Sequence, residues 1–169
     1  MRNLLLEPVE YRTEQTAFGT WRSFMFPTGA VYQEFTSHRT VMGMPFLHYT
    51  AGVCPETGRR RVARGFIAVG RRAVGVIAVG QMAVGAVAIG QAGIGLLLGL
   101  GQLTCGLLAV GQAALGFGMG IGQLATGWVA VGQLALGHWV LAQIGLGAHA
   151  WLPRHADPAA VEFFRSLLS

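Results

Sequence analysis

Lysine is absent from this 169-residue chain, and acid is scarce: seven Asp and Glu stand against twelve arginines, for a formal charge of +5. Charged residues make up 11% of the sequence, well under the quarter or so that an ordinary soluble domain carries. From Ala73 to Pro153 there is no Asp, Glu, Lys or Arg at all. A run without carboxylates offers no paired acids for acid–base catalysis and no calcium loop of the Asp-bearing nonapeptide kind. Cysteine is limited to Cys54 and Cys105, far apart, which excludes a disulfide framework and a Cys-x-x-Cys metal or redox motif. The glycines are never followed by Lys-Ser or Lys-Thr, so none forms a phosphate loop. At the N-terminus Leu4-Leu5-Leu6 is cut off by Glu7, too short for a signal-peptide core. The expected location is therefore the cytoplasm, the cytoplasmic face of a bacterial inner membrane, or that membrane itself.

What is present is apolar. Hydrophobic residues are 53% of the chain, with 26 glycines, and a neutral apolar run of such length ordinarily means membrane. Immediately before it lie Arg59, Arg60, Arg61, Arg64, Arg71 and Arg72. A basic cluster beside an apolar segment suits an anionic lipid surface. A solvated basic turn is the plainer alternative, and nucleic acid ranks below both.

The run is internally repeated. Glutamine recurs at Gln81, Gln91, Gln102, Gln112, Gln123, Gln133 and Gln143, and Arg71 holds the same phase one step earlier. Most of these follow a glycine, and a second glycine falls midway, so the unit is a pentad, Ala-(Val/Ile/Leu)-Gly-x-x, doubled into a decad. In an α-helix five residues advance about 500°, spiralling the glycines around every face, and each costs about 0.5–1 kcal/mol relative to alanine. A β-solenoid accommodates the pattern better: glycine serves corners or close backbone approach, Val, Ile and Leu suit short strands, and each unit is stabilised by its stacked neighbours. Two decads carry an extra residue, Leu96–Gly101 and Phe117–Gly122. If insertions stack at one corner of successive coils, the coil is two decads, giving about four coils of about 20–21 residues at about 4.8 Å per coil. That geometry predicts two glutamine columns, Gln81, Gln102, Gln123 and Gln143 on one side and Arg71, Gln91, Gln112 and Gln133 on the other. Their expected role is structural, as amide ladders or partners of corner backbone groups.

Four pentads per coil resembles the pentapeptide-repeat proteins, whose right-handed square β-helix turns every four pentads. Here glycine replaces the large central residue of their motif. The segments Gly43–His48, Pro55–Gly58 and Ala63–Gly70 also resemble the lead-in of bacterial Ala-Ile/Val-Gly repeat proteins. The resemblance covers most of residues 43–150 and implies an architecture without implying an activity.

The expected organisation is all-β: an N-terminal β-rich cap and lead-in over 1–62, the repeat over 63–150, and a helical cap over 151–169. Trp21–Phe26, a Pro27-Thr28-Gly29 turn and Ala30–Phe35 read as a hairpin, and Thr40–Tyr49 reads as a strand leading into the first coil. Asp157 reads as an N-cap with Pro158 at the first helical position. Val161, Phe164 and Leu168 then share one face, which closes the last coil or lies on a membrane surface, the former being preferred. His138 and His149, eleven apart, fall on opposite sides of a 20-residue coil and so share no metal; His38 and His48 match no zinc spacing with Cys54.

No catalytic, cofactor-binding or metal-binding constellation emerges, and the sequence argues against an enzyme. Alternation places Ala and Gly on one side and Val, Ile or Leu on the other, so either choice of interior leaves an apolar outer wall. The leading reading is a membrane-embedded or membrane-associated solenoid serving as scaffold or assembly subunit. The alternatives are a soluble obligate homo-oligomer that buries its walls, and a glycine-rich multi-helix membrane protein acting in transport. The partners implied are membrane lipid, other copies of the chain, or a membrane protein, with no small-molecule substrate.

Overall fold

The computed structural model describes residues 9–167, so the leucine patch before Glu7 and the helix-face position Leu168 lie outside the described residues. The chain is mostly β, with one short helix near its C-terminus. It divides into two compact units after Gly85. The division falls within the repeat, whose first residues pair with the N-terminal strands.

The first unit begins as an antiparallel meander. Strands β1 (Arg12–Gln15), β2 (Gly19–Met25) and β3 (Val31–Ser37) pair in order. The β2–β3 hairpin is the expected one, closed by Phe26 and Ala30 and turned at Gly29 with φ of 81°. The stretch expected as one strand is broken. Met42 and Gly43, both at positive φ, fold β4 (Thr40–Val41) back on β5 (Met44–Pro45) before β6 (Leu47–Ala51) starts. β6 lies antiparallel to β3 and parallel to β7 (Ala63–Gly70), and so converts the meander into parallel pairing.

From β7 onward the register is parallel and steps by ten: Ala63 faces Ala73, Gly65 faces Gly75 and Val69 faces Val79. The partner is the start of β8, a continuous extended run over Arg72–Leu152. Laid straight, its 81 residues would span roughly 270 Å. It does not run straight. A Cβ on Gly75, Gly80 or Gly85 would collide with the carbonyl oxygen of the glycine ten residues earlier. In the second unit the same holds for Gly106 over Gly95, Gly122 over Gly111, Gly132 over Gly122 and Gly137 over Gly127. The repeat glycines are therefore required by close backbone approach, which no side chain permits.

The register step between β7 and β8 is ten residues, against the roughly 20–21 residues expected from the two insertions. Each insertion is absorbed locally: Gly95 closes against the carbonyl of Leu98, and Gly116 against that of Met119. They recur in alternate steps and carry no information about coil length.

Alternation settles which side chains face inward. Ala63, Ala68, Ala73, Ala78 and Ala83 in the first unit are at most 1% exposed, as are Ala88, Ala109, Ala114, Ala125, Ala130 and Ala135 in the second. Thr104 and Val140 occupy the same phase. The interior is thus a file of methyl groups, each contributing about 0.8 kcal/mol, and the continuous backbone pairing supplies the rest. The large aliphatics point outward, among them Val74 and Val84 in the first unit and Ile94, Leu115 and Leu136 in the second.

In the second unit β8 ends in a tight hairpin with β9 (His155–Ala156), followed by helix α1 (Pro158–Ser166). Asp157 caps the helix by accepting from the Ala159 N–H at 3.0 Å, with Pro158 opening the first turn. Ala160 and Phe164 are buried and Phe163 stacks on Trp139 at 4.4 Å, so the helix closes the repeat as expected.

Candidate functional site

Because the chain returns to the same column every ten or eleven residues, the glutamines expected on two sides come together on one. Gln91, Gln102, Gln112, Gln123, Gln133 and Gln143 line a single shallow groove of about 720 Å³ in the second unit. The residues that follow the glutamines from Gln102 onward form its other wall, chiefly Leu103, Leu124, Leu134 and Ile144. All six glutamines are exposed. Among the described residues none of their amides is hydrogen-bonded, either to a neighbouring glutamine or to backbone. The expected amide ladder is thus not formed within the chain. In the first unit Arg71 and Gln81 likewise share a groove, of about 440 Å³, with Arg60 and Arg61.

The arginines divide by role. Arg61 is committed to Glu34, whose two carboxylate oxygens lie 2.8 and 2.9 Å from one guanidinium nitrogen. Tyr32 donates to Glu34 at 3.1 Å, and His48 Nε2 lies 3.1 Å from it. On its other side, His48 Nδ1 lies 2.9 Å from the Arg64 backbone nitrogen and 3.1 Å from the Arg64 carbonyl oxygen, which fixes the ring with Nε2 facing the carboxylate. Burial pushes the Glu34 carboxyl upward, but the hydrogen bonds from His48 and Arg61 and the Arg61 charge outweigh it and hold the group at about 2. The Arg61 guanidinium is pushed up by the same contact, and the Tyr32 hydroxyl is pushed up by burial and the adjacent carboxylate. Every partner is satisfied, so this cluster pins β3, β6 and the lead-in to β7 together. Sequence reasoning missed it. The available signal was alternation, which puts Glu34 on the same strand face as Tyr32.

Arg59, Arg60, Arg64, Arg71 and Arg72 are exposed and form no ion pair among the described residues. Cys54 is buried beneath the Pro55–Gly58 turn. Burial raises its thiol, but the Glu56 and Thr57 N–H groups and the Thr57 and Tyr11 hydroxyls outweigh that and lower it. Cys105 is free and half-buried. An open apolar groove of about 490 Å³ lies over Trp21, Phe35, Tyr49 and Val69.

His138 and His149 are not on opposite sides. Their rings lie 5.4 Å apart, a consequence of the shorter step, with Trp128 stacked on His138 at 4.3 Å and Trp139 on His149 at 4.5 Å. His149 Nδ1 is 2.7 Å from Asp157. That hydrogen bond first, and the Ala159 N–H second, hold the Asp157 carboxyl below its usual range. His38 is turned elsewhere, 3.1 Å from the Thr20 hydroxyl. No group of three His, Cys, Asp or Glu among the described residues is placed to hold a metal ion.

The helical alternative for the repeat is overturned: residues 72–152 are extended, and no helix among the described residues is long and apolar enough to cross a membrane. No protein-family model, curated protein or solved structure matches the chain.

Proposed function

We propose that the repeat is a β-solenoid of ten- and eleven-residue turns, similar in its repeat to the Ala-Ile/Val-Gly repeat proteins but with half the coil of the pentapeptide-repeat helix, and that it serves as a non-enzymatic scaffold whose walls are covered by lipid. The observation that carries this reading is the inversion of the usual burial: alanine faces inward while leucine, isoleucine and valine face outward, over a run with no charged residue. Leu96 and Phe117 are each 76% exposed and Leu146 is 75% exposed, a wall beyond what soluble monomers present to water. Stacked turns hydrogen-bond to one another throughout, which meets the demand that backbone in lipid be satisfied. The column from Gln91 to Gln143 takes five steps and spans about 24 Å, within the roughly 30 Å hydrocarbon core of a bilayer.

Arg59, Arg60, Arg64, Arg71 and Arg72 are the headgroup contacts of this reading, with exposed Phe18 and half-exposed Trp21 as interfacial aromatics. Its location is a bacterial inner membrane or that membrane's cytoplasmic face. Fractionation tests it: the protein should stay in the membrane pellet through a carbonate wash and require detergent for release, with β-rich circular dichroism. Recovery as a dispersed monomer without detergent sinks the proposal. Recovery without detergent as a large homo-oligomer replaces it with the second reading, in which copies of the chain cover the walls.

A further inference from the structure

We propose that the glutamine groove is the seam along which two copies of this chain meet within the lipid. The inference rests on the lipid-covered reading above and adds to it the one surface that lipid cannot cover. The second unit carries six glutamine amides in a single column, exposed and without hydrogen-bond partners among the described residues, on a stretch from Ala86 to Pro153 that has no charged residue. Facing hydrocarbon, each would be an unsatisfied polar group.

The chemistry of the column selects its occupant. A primary amide presents two donors and a carbonyl with two lone pairs, so a column of amides is complementary to another such column. Its period is also selective. The amides repeat once per turn, at about 4.8 Å, whereas one face of a single extended strand repeats only every two residues, at about 6.6 Å. A strand from another protein drifts out of step within two turns. A second copy of this repeat stays in step over all six. The aliphatic wall formed by Leu103, Leu124, Leu134 and Ile144 packs alongside and excludes lipid from the seam.

The contact area decides where the pairing takes place. A groove about 24 Å long and about 10 Å wide covers about 240 Å² per copy, well below the roughly 800 Å² per partner of a stable complex in water. In lipid the competing state leaves the amides in hydrocarbon, and a short polar seam suffices.

The test uses the full chain in lipid nanodiscs or mild detergent, in a Cys105→Ser background, Cys54 being buried. A short bis-maleimide reports the seam. An axis across the column sets Gln91 against Gln143, so Q91C mixed with Q143C cross-links while neither does alone. An axis along the column brings like positions together, and Q91C alone cross-links. Either pattern supports the seam; cross-linking at neither pair overturns it. Independently, replacing Gln112, Gln123 and Gln133 together with leucine should raise the dimer dissociation constant at least about 20-fold. The β-rich circular dichroism should be unchanged, and L96A should associate like the parent. A parent that is monomeric in lipid, or a triple variant that associates as tightly, overturns the seam while leaving carbonate-resistant membrane residence intact. Release without detergent as a dispersed monomer overturns the lipid reading instead.

Discussion

Replacing Ala130 with leucine puts the inverted interior to a direct test. Ala130 has no exposed surface and lies in a buried cluster with Ala125, Ala135 and Val140. Its Cβ lies 3.2 Å from the place a Cβ on Gly137 would take. Three more carbons have nowhere to go, because the strands on either side are tied by backbone hydrogen bonds and cannot spread independently. Overpacking of this kind costs about 1–3 kcal/mol, and the rigid surroundings place Ala130→Leu near the upper end. Ala130→Gly loses one methyl, about 0.8 kcal/mol, plus about 0.5–1 kcal/mol of backbone entropy. The contrasting change is Leu136→Ala six residues on. Leu136 is 43% exposed, so truncation removes only part of a contact worth about 1.5–3 kcal/mol when complete. Urea unfolding followed by circular dichroism, with all variants in one detergent, reads the difference. The expected order of loss is Ala130→Leu, then Ala130→Gly, then Leu136→Ala. An Ala130→Leu protein as stable as the parent, with Leu136→Ala the most damaged, would refute the assignment of alanine to the interior.

Glu34 is held at about 2, below an ordinary carboxyl near 4.5, so its stabilisation is complete above the unfolded value and lost as pH falls from about 5 toward 2. The linkage is about 3 kcal/mol at neutral pH, and Glu34→Gln should abolish that stretch of the acid-unfolding curve. Asp157→Ala removes both the helix cap and the partner of His149, and should speed amide exchange over Ala159–Phe164 while leaving the strands protected. Replacing Arg60, Arg71 and Arg72 with glutamine should weaken binding to anionic vesicles by about 1 kcal/mol per arginine at low salt. The same protein on neutral vesicles should show no change, and a loss equal on both would remove the arginines from the lipid contact.

Much of the chain's organisation was legible in advance. The Pro27–Gly29 turn between two β-branched and aromatic runs is a local signal, and so is the Asp157-Pro158 helix start. The decad is explicit in the glutamine spacing. The two insertions invite the idea of bulge stacked on bulge and hence a coil of about 20 residues, whereas the observed register steps by ten and the backbone absorbs each insertion through a local close contact at Gly95 or Gly116. The shorter step gathers Gln91 through Gln143 in one groove and sets His138 beside His149, where the longer coil separates them. Which residues face inward was illegible for a different reason. Alanine and valine are both apolar, so hydropathy assigns no direction when both sides of the strand avoid water. Only the space between strands separates them. The Glu34 cluster joins β3 to β6 and to Arg61, partners far apart in sequence, and no local pattern connects them.

The glycine-over-glycine step has a consequence for how such a chain can change length. Most steps share one kind of contact, a glycine against the carbonyl of the glycine ten or eleven residues before it, as at Gly80, Gly111, Gly122 and Gly132. In the proposed solenoid, adding or removing one whole turn leaves each remaining residue in its own column and alters the height by about 4.8 Å. A loss of five residues does something different: beyond that point the glutamine edge and the aliphatic edge exchange places. Growth is thus quantised. The molecule is a gauge whose length can be reset by whole decads, while any fractional change scrambles the surface it presents.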